Sequence, residues 1–133
     1  MQATPTMEYR NLGGTGLKVS VLGFGNMINY KPENVDIDDA IVKKCLDSGV
    51  NFFDTAELYA DGTVSVMQVS VKRHSVGRSW KARLIGTTKV FSIGKNPNFV
   101  SNTNRKHVVE SIDQSLKRLQ TDYVDIVFSH AFD

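Results

Sequence analysis

The chain has 133 residues, 41% hydrophobic and 23% charged, which is the range of soluble globular proteins and enough for one core. A formal charge of +2 demands no nucleic-acid or other polyelectrolyte partner, no apolar run approaches the ~20 residues of a membrane span, and residues 1–7 lack the charged start and apolar stretch of a signal peptide. Cys45 is the only cysteine, so an intrachain disulfide is excluded and a soluble, cytoplasmic protein in a reducing compartment is the expectation.

In chain order, residues 9–12 and 17–20 flank Gly13-Gly14-Thr15-Gly16, a glycine-rich turn of the kind that joins two antiparallel strands. Residues 20–24 then read as the first interior strand. From Asp38 onward, Ile41, Val42, Cys45 and Leu46 recur at helical spacing, with Asp36 or Asp38 as cap and Gly49 as stop. Cys45 lies on that stripe and reads as core, not as a nucleophile. Residues 51–54 form the next strand, residues 83–89 another, and residues 123–130 a fourth. Before the last of these, Val108, Val109, Ile112, Leu116 and Leu119 mark one face of a helix capped by Asn104, with Asp113 and Lys117 paired at i,i+4. Strands alternating with helices imply parallel neighbours joined by right-handed crossovers.

Residues 63–71 (TVSVMQVSV) alternate like a strand and are rich in β-branched side chains, in conflict with the helix that a parallel crossover requires. Val64, Met67 and Val71 also fall at i, i+3 and i+7, and a helix is the expectation. The run Lys72, Arg73, Arg78, Lys81 and Arg83 contains no acid and little interleaved aromatic surface beyond Trp80, so it reads as a solvated face.

Four chemistry-bearing residues sit at or just beyond the C-terminal ends of buried strands: Asp54, Tyr59, Lys89 and His130. In a strand-helix repeat such ends share one edge of the sheet, where active sites collect. Taken singly, each has a structural reading: a turn cap, a half-buried ring, a surface amine, a loop imidazole. His74 and His107 have no comparable context. No pairing of histidine with carboxylates or Cys45 has metal-ligand spacing, so no metal site is expected. The glycines between 13 and 25 fit neither a Walker loop nor the G-x-G-x-x-G dinucleotide fingerprint.

Four stretches in this order, residues 9–24 (YRNLGGTGLKVSVLGF), 51–59 (NFFDTAELY), 86–91 (GTTKVF) and 104–133 (NRKHVVESIDQSLKRLQTDYVDIVFSHAFD), resemble the N-terminal half of the aldo-keto reductases, on the branch that holds the voltage-gated potassium channel β subunits. The resemblance implies an α/β fold: the first half of a (β/α)8 TIM barrel, about four parallel strands preceded by a β-hairpin. It further implies NADPH as cofactor, a small carbonyl compound as substrate, and Asp54, Tyr59, Lys89 and His130 as the catalytic set. Gly25, Asn26 and Met27, together with Asp54 and His130, would lie against the cofactor. In that scheme Tyr59 supplies the proton to the carbonyl oxygen, Lys89 sets its electrostatic field, Asp54 holds the lysine, and His130 orients the carbonyl.

A complete barrel of this type takes ~250 residues. The chain therefore reads as a single partial domain over residues 1–133, cut after the fourth strand. Two edges would stay unpaired unless another chain or a second copy covers them. The alternative function is a β-subunit-like regulatory or binding protein with a channel partner and little turnover. His130, where that branch often carries asparagine, favours turnover. A non-functional truncation is a third, weaker reading.

Overall fold

The computed structural model describes residues 6–25, 27, 35–59, 84–91 and 103–130. The sequence-based expectations for residue 26 and residues 63–82 lie outside this set. Two short strands, β1 (Tyr9–Asn11) and β2 (Lys18–Ser20), form an antiparallel hairpin in which Tyr9 faces Ser20. Four further strands, β3 (Phe24–Gly25), β4 (Phe52–Asp54), β5 (Ile85–Val90) and β6 (Ile126–Ser129), make a parallel sheet in that order. Helix α1 (Val35–Asp47) lies in sequence between β3 and β4, and α2 (Arg105–Arg118) between β5 and β6.

The expected first interior strand is shorter than its apolar run: residues 21 and 22 bend, and pairing starts only at Phe24. Phe24 is in register with Phe53, and their rings meet at 6.2 Å in a tilted contact. Around them Val42, Val50 and Phe53 form the buried core, with Met7, Cys45, Leu46 and Leu84 packed against it. Ile41, although on the predicted stripe, is 41% exposed. Cys45 takes the core position expected of it, and burial raises its thiol pKa above the ordinary value.

Both helices end in the same device. After α1, Gly49 at φ +88° donates to the Leu46 carbonyl (3.0 Å) and Val50 to the Cys45 carbonyl (3.0 Å). This is a Schellman closure, and Val50 and Cys45 then share the core. After α2, Gln120 at φ +51° donates to Lys117 (3.1 Å) and Thr121 to Leu116 (3.0 Å). Asn104 caps α2 as expected, its Oδ1 accepting from the His107 N–H at 3.0 Å. Asp36 and Asp38 are not caps: α1 already begins at Val35, so both lie within its first turn, where a carboxylate favours the positive end of the helix.

The hairpin is tied to the N-terminal edge of the sheet. Asn51, just before β4, accepts from the Ser20 N–H (2.7 Å) and donates to the Lys18 carbonyl (2.9 Å), while its backbone N–H bonds Ser20 Oγ (3.1 Å). Tyr9 Oη adds a bond to the Gly49 carbonyl at 2.7 Å. At the other side of the sheet, Asp125 fixes β6 before the strand begins. Its N–H bonds the Gly86 carbonyl (2.9 Å) and its Oδ2 accepts the Gly86 N–H (2.8 Å).

Candidate active site

Because the four strands are parallel, Gly25, Asp54, Val90 and Ser129 all end at one edge of the sheet, opposite the hairpin. Register does the rest. Phe53 pairs with Gly86, so Asp54 comes level with Thr87, and Thr87 Oγ1 donates to Asp54 Oδ1 at 2.7 Å. Strand periodicity puts Thr87 and Lys89 on the same face and Thr88 on the other, where Thr88 meets Ser115 of α2 at 3.5 Å.

Lys89 is the centre of the cluster. Its Nζ lies 2.5 Å from Asp54 Oδ2, 3.0 Å from the Thr55 carbonyl and 2.9 Å from Tyr59 Oη. All three ammonium donors thus have an acceptor. The Nζ also stands 4.7 Å from the Tyr59 ring centroid. Only 15% of the Lys89 side chain and 29% of that of Asp54 are exposed, so their attraction is less screened than at an open surface. Tyr59 is 8% exposed and packs on Ala56. It sits at the end of a turn closed by its N–H on the Ala56 carbonyl at 3.3 Å.

His130 completes the group. Its N–H extends the β5–β6 ladder to the Val90 carbonyl at 3.2 Å, and its ring meets Tyr59 edge-on, centroids 5.7 Å apart at 78°. His130 Nδ1 is buried without a hydrogen-bond partner among the described residues. The four residues singled out in the sequence are therefore brought together. Gly25 is in register with Asp54, and a Cβ built there meets none of the described residues within 4 Å. Met27 follows β3 and is 55% exposed, and Asn26 lies outside the described residues.

A second polar cluster adjoins the first and was not read from the sequence. The Glu57 carboxylate accepts from the Phe91 N–H and from Ser111 Oγ, and meets His107 Nε2 at 2.9 Å. The side chains of Glu57 and His107 are only 10% and 13% exposed. The available signal was on α2. His107, Ser111 and Ser115 stand at i, i+4 and i+8, one stripe of the helix, and Ser111 and Ser115 are 2% exposed while Val109 is 55% exposed. The polar stripe is turned to the sheet beside the apolar one formed by Val108, Ile112 and Leu116, which are partly buried.

A sequence model of the aldo/keto reductase family matches residues 21–133. The chain belongs to the aldo/keto reductase family. Among relatives of this family member are proteins described as probable voltage-gated potassium channel subunit beta. One is from Arabidopsis thaliana, 41% identical over 126 residues, and one from Oryza sativa subsp. japonica, 40% identical over 126 residues; each alignment covers 93% of this chain and 37% of the relative. The resemblance to the β-subunit branch is borne out, and the chain spans little more than a third of the length of these relatives.

Solved reductases agree on the fold. An aldo-keto reductase from Bacillus halodurans in its holo form superposes with a TM-score of 0.69 at 31% identity, over 91% of this chain and 39% of its own. A thermostable aldo-keto reductase in complex with the inhibitor epalrestat gives 0.70 at 26% identity, over 93% and 43%. The parallel sheet and hairpin are the first part of that TIM barrel. Membership supports an oxidoreductase kind of function, in a family that generally binds NADP(H).

Proposed function

We propose that the chain carries the reacting end of an NADPH-dependent reductase site for aldehydes or ketones, with Asp54, Tyr59, Lys89 and His130 as its catalytic set. The single observation that carries this reading is the placement of Lys89 Nζ between Asp54 Oδ2 and Tyr59 Oη, at 2.5 and 2.9 Å. The residues present fit the reacting end of the cofactor: at Gly25, in register with Asp54, a Cβ would meet no described residue within 4 Å, and the Lys89 ammonium and Tyr59 phenol stand beside Asp54. Gly25, Asn26, Met27, Asp54 and His130 would hold that end.

When bound, the nicotinamide supplies hydride to the carbonyl carbon. Charge then develops on the carbonyl oxygen, and Tyr59 Oη is the group that delivers a proton to it. A cation 2.9 Å away stabilises the negative charge left on the phenol oxygen. Asp54 keeps the Lys89 ammonium in place, and Thr87 keeps Asp54 in place. His130, edge-on to Tyr59, orients the carbonyl.

The test is NADPH oxidation, followed at 340 nm, by the folded chain with a reactive aldehyde such as nitrobenzaldehyde. Turnover is expected, and Tyr59→Phe should lower it by about 10² to 10⁴-fold, the worth of a positioned general acid. A folded chain without turnover rejects the reading. The names of the plant relatives favour one rival, a regulatory or binding protein for a channel. Stable co-purification with a potassium channel's cytoplasmic domain, in the absence of turnover, would support that rival.

A further inference from the structure

We propose that Glu57 is a positioning residue for Tyr59: its buried carboxylate clamps the turn that carries the phenol to the end of β5 and to α2. This role rests on the assignment of Tyr59 as proton donor.

The geometry runs as one chain of contacts. Residues 56–59 form the turn closed by Tyr59 N–H on the Ala56 carbonyl, and Glu57 lies inside it. The Glu57 backbone N–H bonds the Lys89 carbonyl at 3.2 Å, and the carbonyl of Thr55, just before the turn, accepts from Lys89 Nζ at 3.0 Å. The turn is thus held at Lys89 by backbone and side chain alike. The Glu57 side chain adds a third hold, two residues beyond Lys89, on the Phe91 N–H. Its remaining contacts, Ser111 Oγ and His107 Nε2, reach α2 across 54 and 50 residues of sequence.

A carboxylate with only 10% of its side chain exposed is costly to desolvate. Hydrophobic residues of similar volume would close the same space without that cost. The polar solution has a property the apolar one lacks: directional bonds to three separate groups fix the turn in translation and rotation. Small errors matter here, because Tyr59 Oη must stay within hydrogen-bond reach of both Lys89 and a substrate oxygen. Glu57 itself reaches neither the phenol nor Lys89 Nζ by any contact described. It acts through the backbone between residues 57 and 59.

The test compares the full chain with Glu57→Ala and Glu57→Gln, using two readouts. One is the NMR shift of the His130 ring protons, which feel the Tyr59 ring current across the 5.7 Å edge contact, with Tyr59→Leu as the reference for its loss. The other is kcat and KM for NADPH-dependent reduction of nitrobenzaldehyde. Glu57→Ala should keep its far-UV dichroism, move the His130 shifts most of the way to their Tyr59→Leu positions, and lower kcat by about 10- to 100-fold with KM within about threefold. Glu57→Gln should recover part of both, since its amide oxygen still accepts from Phe91. A folded Glu57→Ala protein with wild-type His130 shifts overturns the proposal. Should Glu57→Ala not fold, Glu57→Gln decides: it leaves one accepting oxygen where the carboxylate has two, and wild-type His130 shifts there overturn the proposal equally. Absence of turnover in the wild-type chain would reject the reductase reading, while the NMR comparison still settles whether Glu57 positions Tyr59.

Discussion

The contact between Lys89 and Asp54 makes the sharpest prediction, because its worth can be bounded from the structure. At 2.5 Å and an effective dielectric of about 20, two unit charges attract by roughly 7 kcal/mol. Desolvation and side-chain ordering cancel most of this, and a charge-assisted hydrogen bond nets about 1.5–3 kcal/mol. Lys89→Met removes all three ammonium bonds and strands a carboxylate that is 29% exposed, so it should cost about 3 kcal/mol, the low end for breaking a buried pair. Asp54→Asn keeps an oxygen for Thr87 but turns an amide donor toward Lys89, and should cost about 2 kcal/mol. The double variant has no stranded charge and no opposed donors. It should lose about 3 kcal/mol, not the sum of about 5, which is a coupling near 2 kcal/mol. Urea unfolding followed by far-UV dichroism reads all four proteins on one scale. Additivity within about 0.5 kcal/mol would reduce the pair to an ordinary surface contact and remove the electrostatic basis for the site.

Other predictions concern the helix ends and one phenol. Gly49→Ala should lower stability by about 2 kcal/mol or more, since an alanine there is held at positive φ and its Cβ meets both Met7 and Tyr9 Oη at 2.9 Å; an unchanged urea midpoint would refute this. At the matching position after α2, Gln120→Gly should raise stability by about 0.5–1 kcal/mol by relieving φ +51°, read from the same midpoint. Tyr123 Oη bonds Asp125 at 3.2 Å, and the nearby carboxylate charge, then the bond itself, raise the phenol's pKa above the ordinary tyrosine value. Its contribution to stability is therefore fully present below the unfolded tyrosine pKa and is lost as pH rises through the higher folded value. Phenolate absorbance of the wild type minus that of Tyr123→Phe should show the late transition, and Asp125→Asn should bring it down.

Much of this arrangement was legible in the residues. The hairpin followed from four small residues between two short extended runs, and Asp54, Lys89 and His130 could be placed because each ends an apolar strand of a parallel repeat. Parallel strands deliver their ends to one edge whatever the intervening loops do, so the convergence needed no knowledge of residues 60–83. Glu57, His107 and Ser111 stayed hidden for the opposite reason. Their partnership depends on where α2 lies over the β5 end, and a carboxylate inside a turn signals solvent as readily as burial. The expectation that Asp36 or Asp38 caps α1 erred by a few residues because a hydrophobic stripe marks a helix's buried face and not its first turn. Ile41 shows the same limit from the other side, on the stripe yet outside the core.

The contacts that define the site span 30 to 35 positions between Lys89 and its partners Asp54, Thr55 and Tyr59. None of them gains anything from a locally formed helix or hairpin. Closing a loop of that length costs roughly 3 kcal/mol of chain entropy before any bond is made, and parallel pairing of distant strands is a slow step in folding. In kinetic terms the Lys89 cluster assembles only after β4 and β5 have found each other. A probe on Tyr59 would therefore report the pairing of β4 with β5, while α1 and α2, built from neighbours in sequence, can form ahead of it.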